Sequence, residues 1–79
     1  MTKSKKPELN MVEVFKTNVQ EEDQSKTLIQ KLLEHFPQSK INFDLDDCDK
    51  ILRAEGIDIQ PEKMIEVLNS NGYECRVLD

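Results

Sequence analysis

The sequence predicts an α+β sandwich, a four-stranded antiparallel sheet with two helices on one face. Three observations lead there. Short runs rich in β-branched and aromatic residues alternate with polar ones, two longer stretches repeat their apolar residues at helical spacing, and the elements come in the order β-α-β-β-α-β within about 70 residues. Seventy-nine residues, 37% hydrophobic and 34% charged, suffice for one domain only. The aromatic share is 5% with no Trp, so the core must be aliphatic.

Residues 1–10 are polar and Lys-rich with a proline at Pro7, and they read as a mobile arm ahead of a single domain over 11–79. The first strand, β1, is expected over residues 11–19, where MVEVFKTNV is rich in β-branched and aromatic side chains. Helix α1 is expected over residues 20–37. Leu28, Ile29, Leu32, Leu33 and Phe36 form one helical face, Glu21, Glu22 and Asp23 suit the positive end of the helix dipole, and Pro37 stops it.

Residues 40–45 alternate Ile41, Phe43 and Leu45 with Asn42 and Asp44, the pattern of a strand buried on one side, β2. Asp46-Asp47-Cys48-Asp49 is turn-forming and leads into β3 over residues 50–55, which ends near Gly56. Helix α2 begins at Gln60-Pro61, with proline at a first helical position. It carries Met64, Ile65 and Leu68 on its apolar face and closes on Asn71-Gly72, a left-handed cap. Residues 73–78 alternate again as β4. This order is that of a ferredoxin-like sandwich, which predicts the sheet order 4-1-3-2.

The net charge is -5. Residues 1–10 contribute +2 of it through Lys3, Lys5 and Lys6 against Glu8, leaving -7 for the rest. Such a surface repels phosphate backbones and anionic lipid, so no nucleic acid and no membrane partner is expected. No apolar run approaches the ~20 residues of a membrane span and the start lacks a signal-type apolar stretch, so a cytoplasmic location is expected. Cys48 and Cys75 stand in no metal-type spacing with each other or with His35, and they read as reduced thiols.

With the elements placed, the chain over 11–79 resembles the heavy-metal-associated domain family of copper chaperones, mercury-binding proteins and metal-ATPase N-terminal modules. The resemblance rests on Phe15-Lys16-Thr17-Asn18-Val19 leading into the first loop, Leu28 and Leu32 on α1, Asn42-Phe43-Asp44-Leu45 in β2, and Gly72-Tyr73 opening β4. The family carries Met-x-Cys-x-x-Cys at the end of β1, where two thiolates hold a soft ion. Aligned on the helix leucines, Val19 stands for the methionine, Glu21 for the first cysteine and Gln24 for the second. Thiolates select Cu(I), whereas carboxylate and amide oxygens suit hard ions, so the family's metal activity does not carry over and no cofactor is expected.

Each candidate site competes with a plain structural role. Glu21, Glu22, Asp23 and Gln24 could offer oxygen ligands to a hard cation, yet such a site needs ~6 or more ligands and this loop supplies few. Helix N-terminal stabilisation is the simpler role. The β2–β3 turn and the start of β4 lie on opposite sheet edges, three strand spacings or roughly 14 Å apart. A Cys48–Cys75 disulfide, which needs Cα atoms within about 7 Å, is therefore not expected.

Cys75 alternates with Tyr73 and Val77 as a small core residue, and Cys48 sits among Asp46, Asp47 and Asp49, where neighbouring carboxylates disfavour the thiolate. His35 lies in the last turn of α1, where a cation is favoured. Tyr73 resembles the aromatic residue the family keeps beside the metal loop, and its plain role is packing near the end of α2.

On β1, Phe15, Thr17 and Val19 are expected to face the helices with Ile41, Phe43, Leu45, Leu52 and Ala54. Val12, Val14 and Ile51 then fall on the open face as a candidate partner or dimer interface. There is no Gly-rich phosphate loop and no legible nucleophile-base pair, so no enzyme is expected. The expected function is a non-enzymatic interaction or regulatory module, its acidic loop surface complementing a basic partner protein. The competing expectation is a heavy-metal carrier using Glu21, Gln24 and nearby acids, or sharing Cys48 or Cys75 between two chains.

Overall fold

A computed structural model of the chain describes residues 11–78, so the Lys-rich arm at 1–10 lies outside the described residues. Six elements follow one another: β1 (Met11–Thr17), α1 (Glu22–His35), β2 (Lys40–Asp44), β3 (Ile51–Gly56), α2 (Pro61–Ser70) and β4 (Cys75–Val77). The sheet order is β2-β3-β1-β4, with every neighbouring pair antiparallel. That is the expected order read from the other edge.

Register places the core. Phe15 faces Leu52 on β3 and Val77 on β4, and Ile41 faces Ala54, so one side of the pleat is continuously apolar. Leu28 and Leu32 of α1 and Met64 and Leu68 of α2 close over that side, and with Phe15, Leu52 and Val19 they are buried to 1% or less exposure. The core is aliphatic around two phenylalanines, Phe15 and Phe36. Ile59 and Val67 join it as well; Val67 stands at i+3 from Met64 on the same helical face, whereas Ile59 lies in the connection before α2, where no strand or helix repeat applies.

The ends of the elements are shorter than the periodicity implies, for local reasons. Strand β1 stops at Thr17 because its hydroxyl accepts the amide of Val19 at 3.2 Å, turning the chain while Val19 stays fully buried. Helix α1 stops at His35, and the Phe36 N–H still bonds the Leu32 carbonyl at 2.8 Å before Pro37 rules out continuation.

Helix α2 ends in a Schellman motif. Tyr73 N–H reaches Leu68 O at 2.9 Å, Gly72 N–H reaches Asn69 O at 3.0 Å, and Gly72 takes φ +90°, a conformation glycine adopts without steric cost. Tyr73 closes that motif, half-buried against the core, and the Glu74 amide is taken by Asn18 Oδ1, so β4 starts only at Cys75.

Candidate functional site

The loops β1–α1, β2–β3 and α2–β4 share one end of the sandwich, and the chemistry-bearing residues singled out from sequence, His35 excepted, lie at or near it. Glu21 is the N-cap of α1 with extended backbone, and Gln24 is its third helical residue. The Glu21 N–H donates to Gln24 Oε1 at 3.3 Å while the Glu21 carboxylate faces the Gln24 N–H, the reciprocal arrangement of a capping box. Glu21 and Gln24 thus use their polar atoms on each other and on the helix start. Glu22 and Asp23 complete an acidic first turn, exposed to solvent, where the helix dipole favours negative charge.

Thr17 ties this end together. Its hydroxyl donates to Lys50 O at 2.6 Å while accepting from Val19, and its amide donates to Asp49 O at 3.2 Å. The β2–β3 turn is therefore drawn over β1. Lys50 takes a left-handed backbone with φ 50°, its amide bonds Asp47 O at 2.9 Å, and its ammonium caps Leu45 O at 3.0 Å. Asp47 Oδ1 accepts the amide of Asp49 at 2.8 Å, and Asp49 pairs with Lys16 at 3.5 Å.

This fold-back carries the end of the β2–β3 turn alongside β1. Thr17 is the register partner of Cys75 and bonds Asp49 O, so the backbones of Asp49 and Cys75 flank β1 about 10 Å apart, two strand spacings. Both cysteines are free thiols. Cys48 is exposed, and its sulfur lies with carboxylate oxygens of Asp47 and Asp49 within 4.8 Å. The turn itself accounts for that proximity, since both aspartates already serve in hydrogen bonding or ion pairing. Cys75 is half-buried against the core, and burial pushes its thiol up from 9.0 to about 12.

Tyr73 lines a shallow cavity of about 280 Å³ with Asp23, Gln24, Thr27, Leu28 and Asn71, so the structure places it beside the acidic first turn of α1. Asn18 fastens the neighbouring loop by accepting the amide of Glu74 at 2.8 Å. Glu22 shares a second shallow cavity with Asp44 and Asp46, and Lys26 lines the same cavity between the two loops. His35 belongs to the opposite end. It lines a cavity of about 380 Å³ with Phe36, Pro37, Ser39, Ile57 and Asp58, about 20 Å along α1 from the cap that Tyr73 adjoins.

The open face of the sheet carries Val12, Val14 and Ile51 as expected, and register adds what the sequence reading missed. Ile51 faces Lys16, and Lys16 faces Arg76. In the next row Asn42 faces Arg53 and Arg53 faces Val14, whose carbonyl accepts the amide of Leu78 at 2.8 Å. The last row sets Lys40 beside Glu55 beside Val12. Arg53 and Lys16 were legible in the period-two alternation of their strands, whereas Arg76 and Leu78 required the pairing of β4.

Fold and site together define a small α+β sandwich of ferredoxin-like topology with an acidic loop end and a capped α1. No family model, no curated protein and no solved structure matches the chain. No helix among the described residues is long and apolar enough to cross a membrane.

Proposed function

We propose that the chain is a non-enzymatic interaction module, similar to heavy-metal-associated domains in pattern but without their soft-ion site, whose acidic loop end docks a basic surface of a partner protein. The observation that supports this most directly is the capping box. A thiolate pair at the Glu21 and Gln24 positions would leave the helix start without its reciprocal bonds, whereas here both side chains serve the fold. The remaining function of the loop end is then electrostatic: Glu21, Glu22, Asp23, Asp46 and Asp47 are exposed together, and such a patch steers and selects a cationic partner more than it adds raw affinity. The distribution of His35 and Tyr73 over opposite ends supports a binding role over an acid-base one.

Competition for Cu(I) between the reduced protein and a strong chelator tests the loss of the soft-ion site. The wild type leaves the metal with the chelator, while the double variant Glu21→Cys with Gln24→Cys retains it. Stoichiometric retention by the wild type would establish the rival reading, a metal carrier that employs Cys48 or the acidic loop.

A further inference from the structure

We propose that β2 is a self-complementary sheet edge whose occupant is the same strand of a second copy of this chain, antiparallel to it about a two-fold axis at Asn42. Strand β2 pairs with β3 alone, so its other side is a free edge. The ladder fixes which backbone groups point outward there. The Val14 carbonyl accepts the Leu78 amide, so Val14 turns its backbone groups toward β4, while Glu13 and Phe15 turn theirs toward β3. Carried across β3 through Ala54 and Leu52, that alternation turns Lys40, Asn42 and Asp44 toward β3 and leaves the amide and carbonyl of Ile41 and Phe43 facing outward.

Lys40-Ile41-Asn42-Phe43-Asp44 is complementary to itself when inverted. Ile41 of each copy exchanges both backbone bonds with Phe43 of the other. On the helix side this sets an aromatic ring against a β-branched side chain, a favourable cross-strand pair. On the open side Lys40 lies across from Asp44 of the second copy, in both directions, and Asn42 across from Asn42. These are the non-hydrogen-bonded positions, where side chains come closest, and all three residues are exposed. A lysine on an edge strand ordinarily repels a second edge. Here Asp44, placed symmetrically with Lys40 about Asn42, turns that repulsion into attraction.

The surrounding charges are compatible with this match. Behind the edge, Glu55 adjoins Lys40 and Arg53 adjoins Asn42, one charge of each sign. Glu22 and Asp46, which share a cavity with Lys26 at the Asp44 end of the strand, meet the Lys40 end of the second copy and not their own counterparts. The other free edge behaves oppositely. Strand β4 has only Cys75, Arg76 and Val77, and inversion about Arg76 sets two guanidinium groups against each other.

Helix α1 adds apolar surface beside β2. Ile29 lines a cavity of about 310 Å³ with Phe43 and Leu45, and Leu33 lies one turn further along the same stripe, each of them half-buried. The contact is nevertheless small. Five residues of strand span about 17 Å, short of what the ~800 Å² per partner of a standard interface requires. The net charge of -5 on each copy also opposes approach. Association is therefore weak, with a dissociation constant of about 0.1–1 mM.

Sedimentation equilibrium and amide spectra of the full chain, from about 0.05 mM to about 2 mM, test this. Average mass should rise with concentration, and concentration-dependent shifts should centre on residues 40–44 and the adjoining side of α1. The outward amides of Ile41 and Phe43 should gain protection from hydrogen exchange over the same range. Lys40→Asp and Asp44→Lys each set like charges across the axis and should weaken association about tenfold or more. An equimolar mixture of the two variants restores opposite charges at both positions, as does the double variant, and each should associate within about threefold of the wild type. The spread of amide resonances reports that each variant is folded.

A constant monomer mass up to the highest concentration overturns the proposal, as do shifts confined to Val12, Val14 and Ile51, which would place self-association on the open face. Single variants that associate as tightly as the wild type overturn it too, as does a mixture that fails to regain what each variant has lost. The copper competition reads the loop end and is independent of all these outcomes.

Discussion

Gln24 Oε1 lies 3.3 Å from the backbone nitrogen of Glu21, and this reciprocal pairing across the first turn of α1 fixes the start of the helix. The presence of Glu21 and Gln24 at these two positions is thereby explained by local mechanics. Losing a cap costs a helix of 14 residues more than losing an exposed side chain elsewhere on it, because the first amides have no partners within the helix.

Removing the box is accordingly measurable. Glu21→Ala should destabilise the domain by about 0.5–2 kcal/mol, and Glu21→Ser, which restores a capping oxygen, should recover most of it. Thermal unfolding followed by circular dichroism reads this as a fall of about 4–8 °C per kcal/mol for a domain of this size. Equal melting temperatures for wild type and Glu21→Ala would show that the pairing carries no stability.

Thr17 is the joint between β1, the β2–β3 turn and the loop to α1. Thr17→Val keeps the volume but leaves Lys50 O and Val19 N–H without their hydroxyl partner, at a cost of about 1–3 kcal/mol. Thr17→Ser should lose far less. Urea denaturation separates the two, and a Thr17→Val variant as stable as wild type would mean that solvent replaces both bonds.

Gly56 closes β3 beneath Ser39. A Cβ added there would stand 2.6 Å from Ser39 Oγ and 3.2 Å from its Cβ. Overpacking of this kind costs about 1–3 kcal/mol. Gly56→Ala should therefore destabilise, and Ser39→Gly should rescue it, so that the double variant loses less than the two single losses added together. Simple additivity would locate the strain elsewhere.

The two thiols should separate cleanly by reactivity. Exposed Cys48 should react with a disulfide reagent at pH 8 in the native protein, while Cys75, held neutral by burial up to about 12, should react only as the domain opens. The linked effect on stability has a definite sign. Between pH 9 and about 12 the unfolded chain releases the Cys75 proton and the folded one retains it, so stability falls as pH rises through that window. The difference in unfolding free energy between wild type and Cys75→Ala, followed from pH 8 to 11, isolates this contribution from other titrating groups. A difference that does not change with pH would place the thiol in contact with water.

The alternation of Phe15 and Thr17, the helical repeat through Leu28 and Leu32, and Asn71-Gly72 are local signals. From them the six elements, their order and the inward side of each strand follow by sequence alone, because side-chain period and backbone preference act over a few residues.

Pairing across distance belongs to the tertiary structure. Only the register of β1 with β3 and β4 puts Arg53, Lys16, Arg76 and Leu78 around Val14, and only the bond from the Thr17 amide to Asp49 O draws the acidic turn over the sheet. The physical reason is range. Helical and strand periodicity are set by neighbours in sequence, whereas the composition of a sheet face depends on hydrogen bonds between residues such as Lys16 and Arg76, which are 60 positions apart, and on how each turn closes.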